Sequence, residues 1–380
     1  MDQMTLTPLF VVDRPISLEI LNGLKDKANQ FGILSHAFTT DNFKAKFREF
    51  EFAKYKVGDS GIYQGKDISY PLLFNEYIKM GITHGIIKDY FRDPVKTLES
   101  AKEAWAYYHK AGLQEKFVLL GVAQGNTVKE YLKSYEEQKE IGYKIIAIGG
   151  LLSKIENHSR MVRVLKEELL INVLKNLRKK YPHDSIFPLG VFSRSRIGLF
   201  KELNIWATDY KGWIFRYNIE QSHRKKDRFV QVQNYIRNEV LPLVTKDRLL
   251  ILSCSKRKKI GSGPSIEIYD GNAFRSLRQY LKLNDGLDVR IISAKHGLIN
   301  QAFEIESYDE KLTLEKAKLY RKKYAREIST LLSCYRDVMI CGGKEYRVVT
   351  GLNKCHYTEG KNGEQLHQLK EWLNSGKDSK

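Results

Sequence analysis

Eight short apolar runs recur over roughly the first 210 residues, and segments with helical spacing separate them. The runs are Leu9–Val12, Phe31–Phe38, Tyr55–Val57, Gly85–Ile87, Phe117–Val122, Ile145–Ile148, Ile186–Val191 and Ile205–Thr208. Buried strands that alternate with helices predict a parallel sheet, and eight of them predict a (β/α)₈ TIM barrel. An open doubly wound sheet is the alternative, but no G-x-G-x-x-G motif follows the first run.

The rest of the chain repeats the pattern of strand, polar loop and helix on a smaller scale. Apolar runs begin at Leu249, Val289 and Val338. This pattern predicts a small three-layer α/β domain. We therefore expect a barrel domain over residues 1–216, a basic helical junction over residues 217–246 and a C-terminal α/β domain over residues 247–380.

Positive charge is the strongest compositional signal. The chain has a net charge of +19, and residues 211–260 hold 13 Lys or Arg against 4 Asp or Glu, a balance of 13 − 4 = +9. Clustered cations favour a nucleic-acid partner over a membrane, since no basic amphipathic anchor is evident. The predicted contacts to the nucleic-acid backbone are Arg216, Arg224, Lys225, Lys226, Lys256, Arg257 and Lys258.

Cysteine usage and the N-terminus predict a cytoplasmic protein. The first cysteine is Cys254, and no two of the four cysteines have CxxC spacing. This argues for a reducing compartment and against a disulfide framework. The N-terminus has no signal-peptide pattern, and no stretch approaches the ~20 apolar residues that a membrane span needs.

Polar residues and glycines cluster where the predicted barrel strands end. They are Asp13, Asp59, Asp89, Gln124, Gly149, Gly150, Gly190 and Asp209. In a (β/α)₈ barrel the carboxyl ends of the strands form one rim, where active sites are built. Two carboxylates across a cleft suit chemistry at a glycosidic bond, with one as the nucleophile and the other handling the proton. A third acid, the glutamine and the Gly-Gly backbone suit the edge of a purine, and Tyr63 is placed to stack on a flat base.

The predicted barrel resembles the tRNA-guanine transglycosylase superfamily. The matching stretches cover roughly residues 5–215: Gly58–Gln64, Lys88–Asp89, Gly121–Gly125, Ala147–Leu151, Pro188–Val191 and Ala207–Asp209. The resemblance implies that Asp209 is the nucleophile on C1′ and that Asp59 is the general acid/base. It further implies two groups of base-binding residues. The guanine is read by Asp89, Gln124 and the backbone of Gly149 and Gly150, and it is sandwiched between Tyr63 and Leu189.

The sequence departs from the tRNA enzymes after Asp209. Their C-x-C-x-x-C zinc motif is absent, since no cysteine precedes Cys254. The chain resembles more closely the DNA-guanine transglycosylases of bacterial genomic islands and phages, which insert a 7-deazaguanine base such as preQ0. No metal or cofactor is implied. A tRNA-guanine transglycosylase and a non-catalytic nucleic-acid-binding subunit are the alternatives, and a need for helper proteins that open the duplex stays open.

Base exchange requires the nucleotide to be flipped out of the stack. Trp206, Trp213 and Phe215 lie close to Asp209 in sequence and are either stacking platforms or packing residues.

The C-terminal segment resembles an uncharacterised α/β family of phages and bacteria and, more distantly, a peroxide-stress DNA-binding family. The resemblance rests on Ser253–Lys256, Tyr269–Phe274, Ser293–Leu298 and Tyr308–Asp309. We expect this domain to position nucleic acid. Phosphate binding by the Ser253–Lys256 loop and a second activity with Lys256 or Lys258 as nucleophile are further alternatives.

Overall fold

The computed structural model describes residues 6–62, 65, 67–157, 160–165, 167–215, 226–284, 286–351 and 355–375. The chain forms two compact units. The barrel unit comprises residues 1–196 and 200–237, and the C-terminal unit comprises residues 197–199 and 238–380. The predicted junction over residues 217–246 is divided between them, and it is helical from residue 226 to residue 245.

Eight parallel strands form the barrel, which confirms the predicted fold class. The strands of this unit are β1 (Thr7–Val11), β2 (Gly32–His36), β3 (Lys56–Asp59), β4 (His84–Ile86), β5 (Val118–Ala123), β6 (Ile145–Ile148), β7 (Leu152–Asn157), β8 (Arg160–Leu165), β9 (Ser185–Pro188) and β10 (Ala207–Tyr210). Strands β7 and β8 form a separate antiparallel hairpin. The other eight follow the order β10-β1-β2-β3-β4-β5-β6-β9.

Hydrogen bonds between β9 and β10 close the ring. The Trp206 amide donates to the Ile186 carbonyl at 3.1 Å, and the Thr208 hydroxyl donates to the Pro188 carbonyl at 3.2 Å. On the other side, β10 pairs with β1 along its length. All eight carboxyl ends therefore meet at one rim.

Helices follow most of the barrel strands. They are α1 (Pro15–Asn22), α2 (Asp41–Arg48), α3 (Tyr70–Met80), α4 (Pro94–Lys110), α5 (Val128–Ile141), α6 (Glu167–Lys180), α7 (Ile197–Glu202), α8 (Gly212–Phe215) and α9 (Lys226–Tyr235). Side-chain oxygens of Thr40, Asp93 and Thr127 cap α2, α4 and α5 by accepting backbone amides.

The sequence pattern predicts a single helix over Asn157–Lys180, and this prediction is wrong for the first part of the segment. Residues 160–165 form β8, and α6 begins at Glu167. The stretch Arg-Met-Val-Arg-Val-Leu contains two β-branched valines, which favour a strand over a helix.

Aromatic side chains close the amino-terminal end of the barrel. The ring centroid of Trp206 lies 4.9 Å from that of Tyr55, 5.2 Å from that of His84 and 5.7 Å from that of Phe187. Burial lowers the pKa of His84 to about 4, so the imidazole is neutral. This end is packed, which leaves the carboxyl rim for function.

The C-terminal unit is a smaller α/β domain with a mixed sheet. Its strands are β11 (Arg248–Ser253), β12 (Ser262–Pro264), β13 (Leu287–Ser293), β14 (Gly297–Asn300), β15 (Glu304–Glu306), β16 (Asp337–Cys341) and β17 (His356–Tyr357). Its helices are α10 (Leu241–Thr245), α11 (Ser265–Ile268), α12 (Asn272–Leu281), α13 (Leu314–Cys334), α14 (Lys344–Thr350) and α15 (Asn362–Ser375). The main sheet has the order β14-β13-β11-β16-β17, in which only β14 is antiparallel.

Both faces of this main sheet are covered. Leu250 and Leu252 pack in one apolar cluster with residues of α12 and α15. Leu249 and Ile251 point to the opposite face and are also fully buried. The unit is therefore three-layered, as predicted. Across both units, no helix among the described residues is long and apolar enough to span a membrane.

Candidate active site

Two carboxylates lie together at the carboxyl rim of the barrel. Asp59 is the last residue of β3, and Asp209 is in β10. Burial raises the pKa of Asp59 to about 6, and the negative charge of Asp209 acts in the same direction. Backbone hydrogen bonds from Gly61 and Ser60 partly oppose this. Both predicted catalytic aspartates therefore lie at the carboxyl rim, where the charge of Asp209 acts on Asp59.

The turn after β9 orients Asp209. The Gly190 amide donates to Asp209 Oδ1. Gly190 has φ +72°, a conformation that other residues adopt only with strain. The neighbouring Leu189 amide donates to the Ile148 carbonyl at 3.0 Å, which fixes this turn on β6. The Asp209 carboxylate is thus held by a backbone donor.

Four of the predicted base-binding residues form a second, adjoining cluster. Gln124 Nε2 donates to Asp89 Oδ2 at 2.6 Å, and both side chains are buried. A Cβ at Gly149 would overlap Gln124 Nε2 and lie 2.9 Å from Asp89 Oδ2. A Cβ at Gly150 would overlap Gln124 Oε1. Both glycines are required here because the backbone passes directly against this buried pair.

The surroundings hold the Asp89–Gln124 pair in place. The Arg92 amide donates to Gln124 Oε1 at 3.1 Å. The Tyr131 hydroxyl donates to the Gly149 carbonyl at 2.8 Å. The half-buried Leu189 lies in the turn beside Asp209. Tyr63, the other residue predicted to cover the base, lies outside the described residues.

Sequence reasoning missed two residues next to Asp59. His36 ends β2 and is in register with Asp59. Burial lowers the pKa of His36; Asp13 opposes this effect, while Lys211 and Lys44 add to it. The buried Ser60 hydroxyl makes no hydrogen bond within the described part of the chain. The rule that drew attention to the acids, a polar residue at a strand end, applies equally to His36.

An aromatic pair adjoins Asp209 and was also missed. Phe192 and Tyr210 stack with ring centroids 4.2 Å apart and an interplanar angle of 23°. Tyr210 Oη lies 2.9 Å from Tyr235 Oη.

The tryptophans are packing residues. Trp206 is in the closed end of the barrel, and Trp213 is fully buried with Nε1 donating to the Val11 carbonyl at 3.1 Å. Phe215 is the last residue of α8.

The residues predicted to contact the nucleic-acid backbone differ in their position and exposure. Arg216, Arg224 and Lys225 lie outside the described residues, and Lys226 begins α9. Lys256 and Arg257 are exposed, although Arg257 pairs with Asp270 at 3.3 Å. Lys258 is half-buried, and its ammonium lies over the Tyr308 ring at 4.2 Å.

The Ser253–Lys256 loop lines a cavity of about 360 Å³ at the carboxyl end of β11. Cys254 Sγ lies 3.3 Å from the Tyr346 hydroxyl and 3.4 Å from the Ala294 amide. In the described part of the chain, no group of three His, Cys, Asp or Glu residues is arranged to hold a metal ion.

Residues 249–375 match a family of unknown function (DUF6884). Among solved structures, the YdjI aldolase from Escherichia coli K12 is similar with 11% sequence identity and a TM-score of 0.42, covering 63% of this chain and 89% of that chain. No curated protein matches the chain. The family match therefore concerns the C-terminal unit alone.

Proposed function

We propose that the protein is a DNA-guanine transglycosylase, a glycosyltransferase that exchanges guanine in DNA for a 7-deazaguanine base such as preQ0. The observation that carries the proposal is the presence at one rim of Asp59 and Asp209, whose charge raises the pKa of Asp59, together with the buried and hydrogen-bonded pair Asp89–Gln124. The motif resemblance assigns roles to the same residues, which supports the proposal.

In the first half-reaction, a guanosine flipped out of the DNA enters the rim. The Asp209 carboxylate attacks C1′, the C1′–N9 bond breaks, and a glycosyl ester forms on Asp209. Guanine leaves with a proton at N9 that protonated Asp59 donates. The Gly190 amide holds Asp209 for this attack, since it already donates to one carboxylate oxygen.

In the second half-reaction, the incoming base gives its N9 proton to the Asp59 carboxylate. N9 then attacks C1′, the ester bond breaks, and the Asp209 carboxylate is restored. A pKa of about 6 keeps both protonation states of Asp59 accessible near neutral pH.

Base recognition falls to the adjoining cluster. The Asp89 carboxylate accepts from the N–H donors of the guanine edge, and the Gln124 amide and the Gly149–Gly150 backbone meet its O6 and remaining donors. The Ser60 hydroxyl, which makes no hydrogen bond to any described residue, provides a further hydrogen-bonding group beside Asp59. A buried polar group without a partner is costly, so a bound substrate would gain free energy by meeting it.

Gly149→Ala is expected to weaken base binding. Its Cβ would push the Gln124 amide away from Asp89, so KM for guanine should rise by roughly 10- to 100-fold through the loss of one or two hydrogen bonds. Steady-state kinetics with labelled guanine measure this. Gly363→Ala is the matched control, because its Cβ would meet nothing within 4 Å. An unchanged KM in Gly149→Ala would remove the cluster from base recognition.

Incorporation of radiolabelled guanine tests the proposed function directly. Purified protein is offered duplex DNA, single-stranded DNA and bulk tRNA as separate substrates. Label in DNA alone supports the proposal, and the two DNA substrates show whether the duplex must be opened by another protein. Label in tRNA alone would overturn the choice of DNA. Absence of label from all three, also after addition of lysate from a strain that modifies its DNA in this way, would favour the non-catalytic alternative.

A further inference from the structure

Helix α13 of the C-terminal unit carries a one-sided field of positive charge. Residues 316–326 contain six cations and no acid, namely Lys316, Lys318, Arg321, Lys322, Lys323 and Arg326. Ala317 and Ile328 are buried, and Tyr324 is half-buried beside Gly297, so this side faces the sheet. The other side exposes Lys318, Lys322 and Arg326, which follow one another at i,i+4 spacing.

The contacts within the unit leave most of this charge uncompensated. Lys316 pairs with Glu310, and Arg321 donates to the Val348 carbonyl at 3.4 Å. Lys318, Lys322, Lys323 and Arg326 form no ion pair with any residue in the described ranges. These side chains therefore extend from the helix as unneutralised cations.

Helix stability does not account for this arrangement. Like charges at i,i+4 repel each other and destabilise a helix. Cations favour the last turn of a helix, where they oppose the macrodipole, but the last turn of α13 has none. The charges lie instead in the first thirteen of its 21 residues. No described residue neutralises these charges, and an external partner that did so would be an anion with repeated charge.

We propose that the exposed face of α13, defined by Lys318, Lys322 and Arg326, is a docking surface for the phosphate backbone of DNA. With a rise of about 1.5 Å per residue, this row is about 12 Å long. One DNA strand carries a phosphate about every 3.4 Å along its axis, so the row can meet several phosphates. The choice of DNA rests on the proposed function.

The salt dependence of DNA binding tests the surface. The triple variant Lys318→Gln, Lys322→Gln, Arg326→Gln keeps good helix formers and removes three charges. The control variant Lys102→Gln, Lys110→Gln, Lys116→Gln removes three exposed cations from the barrel unit around α4. Binding of labelled duplex DNA is followed by fluorescence anisotropy over a series of KCl concentrations, and thermal melting establishes that each variant is folded.

The α13 variant is expected to bind DNA more weakly than the control and with a shallower salt slope. The slope of log K against log salt should fall by about 0.9 for each lost phosphate contact, thus by about 2 to 3 in total. A slope equal to that of the control would overturn the proposal. A loss seen with tRNA and not with DNA would overturn the choice of partner.

Binding is measured without guanine, so its result is separate from base exchange. If the wild-type protein does not exchange bases, but the α13 substitutions still reduce the salt slope of DNA binding, the docking surface is supported and the proposed function is not. If the wild-type protein exchanges bases, but the α13 substitutions leave the salt slope unchanged, the proposed function is supported and the docking surface is not.

Discussion

Asp209→Asn is expected to give a folded protein in which base exchange is slowed on the order of 10⁴-fold or more, because the attacking carboxylate is lost. Asparagine has nearly the same shape, and its side-chain oxygen can still accept from the Gly190 amide. DNA binding should therefore persist while the covalent complex disappears. Guanine incorporation and a denaturing gel of protein mixed with DNA measure the two effects.

Asp41→Asn is the control, since the Asp41 side chain is 95% exposed and lies in the first turn of α2. Exchange at the wild-type rate in Asp209→Asn would contradict the assignment of the nucleophile. A loss of DNA binding or folding in this variant would mean that Asp209 has a structural role.

The same variant gives a readout that does not depend on the reaction. The charge of Asp209 contributes to the raised pKa of Asp59. Removing that charge should lower the pKa of Asp59, which carboxyl-selective NMR of labelled aspartate can detect. An unmoved pKa would mean that the two carboxylates do not act on one another.

The sequence predicted the barrel because each strand is a short apolar run of its own. Leu9, Val57 and Ile146, for example, are buried residues in three of these runs, and each run forms a strand. Because the strands are parallel, the chain direction then places all their carboxyl ends at the same rim. The β7–β8 hairpin was missed because the residues of β8 were counted toward the helix that follows. Local patterns compete in such stretches, and tertiary context decides between them.

The site was predicted as a set of strand ends but not as a network. Sequence reasoning placed Asp89 and Gln124 at the same rim, and only the structure shows the 2.6 Å hydrogen bond between them. Ser60 was missed because its burial beside Asp59 is revealed by no local pattern, whereas His36 fits the same strand-end rule as the acids. The uncompensated charge of α13 was missed for a similar reason, since the sequence does not tell which lysines find an acid in the fold.

Asp59→Asn is expected to slow both half-reactions by roughly 10²- to 10⁴-fold, the usual contribution of a general acid/base. The pKa of Asp59 in the folded protein, about 6, lies above the ordinary value of 3.8 for an aspartate, so the folded protein binds this proton more tightly than the unfolded chain does. The contribution of Asp59 to stability therefore falls as the pH rises from about 4 to about 6. Asp59→Asn should remove this effect and raise the melting temperature at neutral pH.

The two half-reactions of the wild type should depend on pH in opposite directions around the pKa of Asp59. Release of guanine needs the acid form, so its single-turnover rate should fall as the pH rises above about 6. Attack by the incoming base needs the carboxylate, so its rate should fall as the pH drops below the pKa of Asp59 in the intermediate. Asp59→Asn should abolish both dependences. Two profiles with the same direction would contradict a shared acid/base.

The electrostatic effect of Asp209 on Asp59 favours the change of Asp59 from acid in the first half-reaction to base in the second. Before the first step, the pair holds one negative charge, on Asp209, and one proton, on Asp59. After guanine leaves, Asp209 is a neutral ester and Asp59 carries the charge, so the net charge of the pair is unchanged. Loss of the Asp209 charge lowers the pKa of Asp59 and favours the carboxylate that the second step requires. The pKa governing the second half-reaction should therefore lie below the value of about 6 in the resting protein, and equal pKa values in both half-reactions would argue against this coupling.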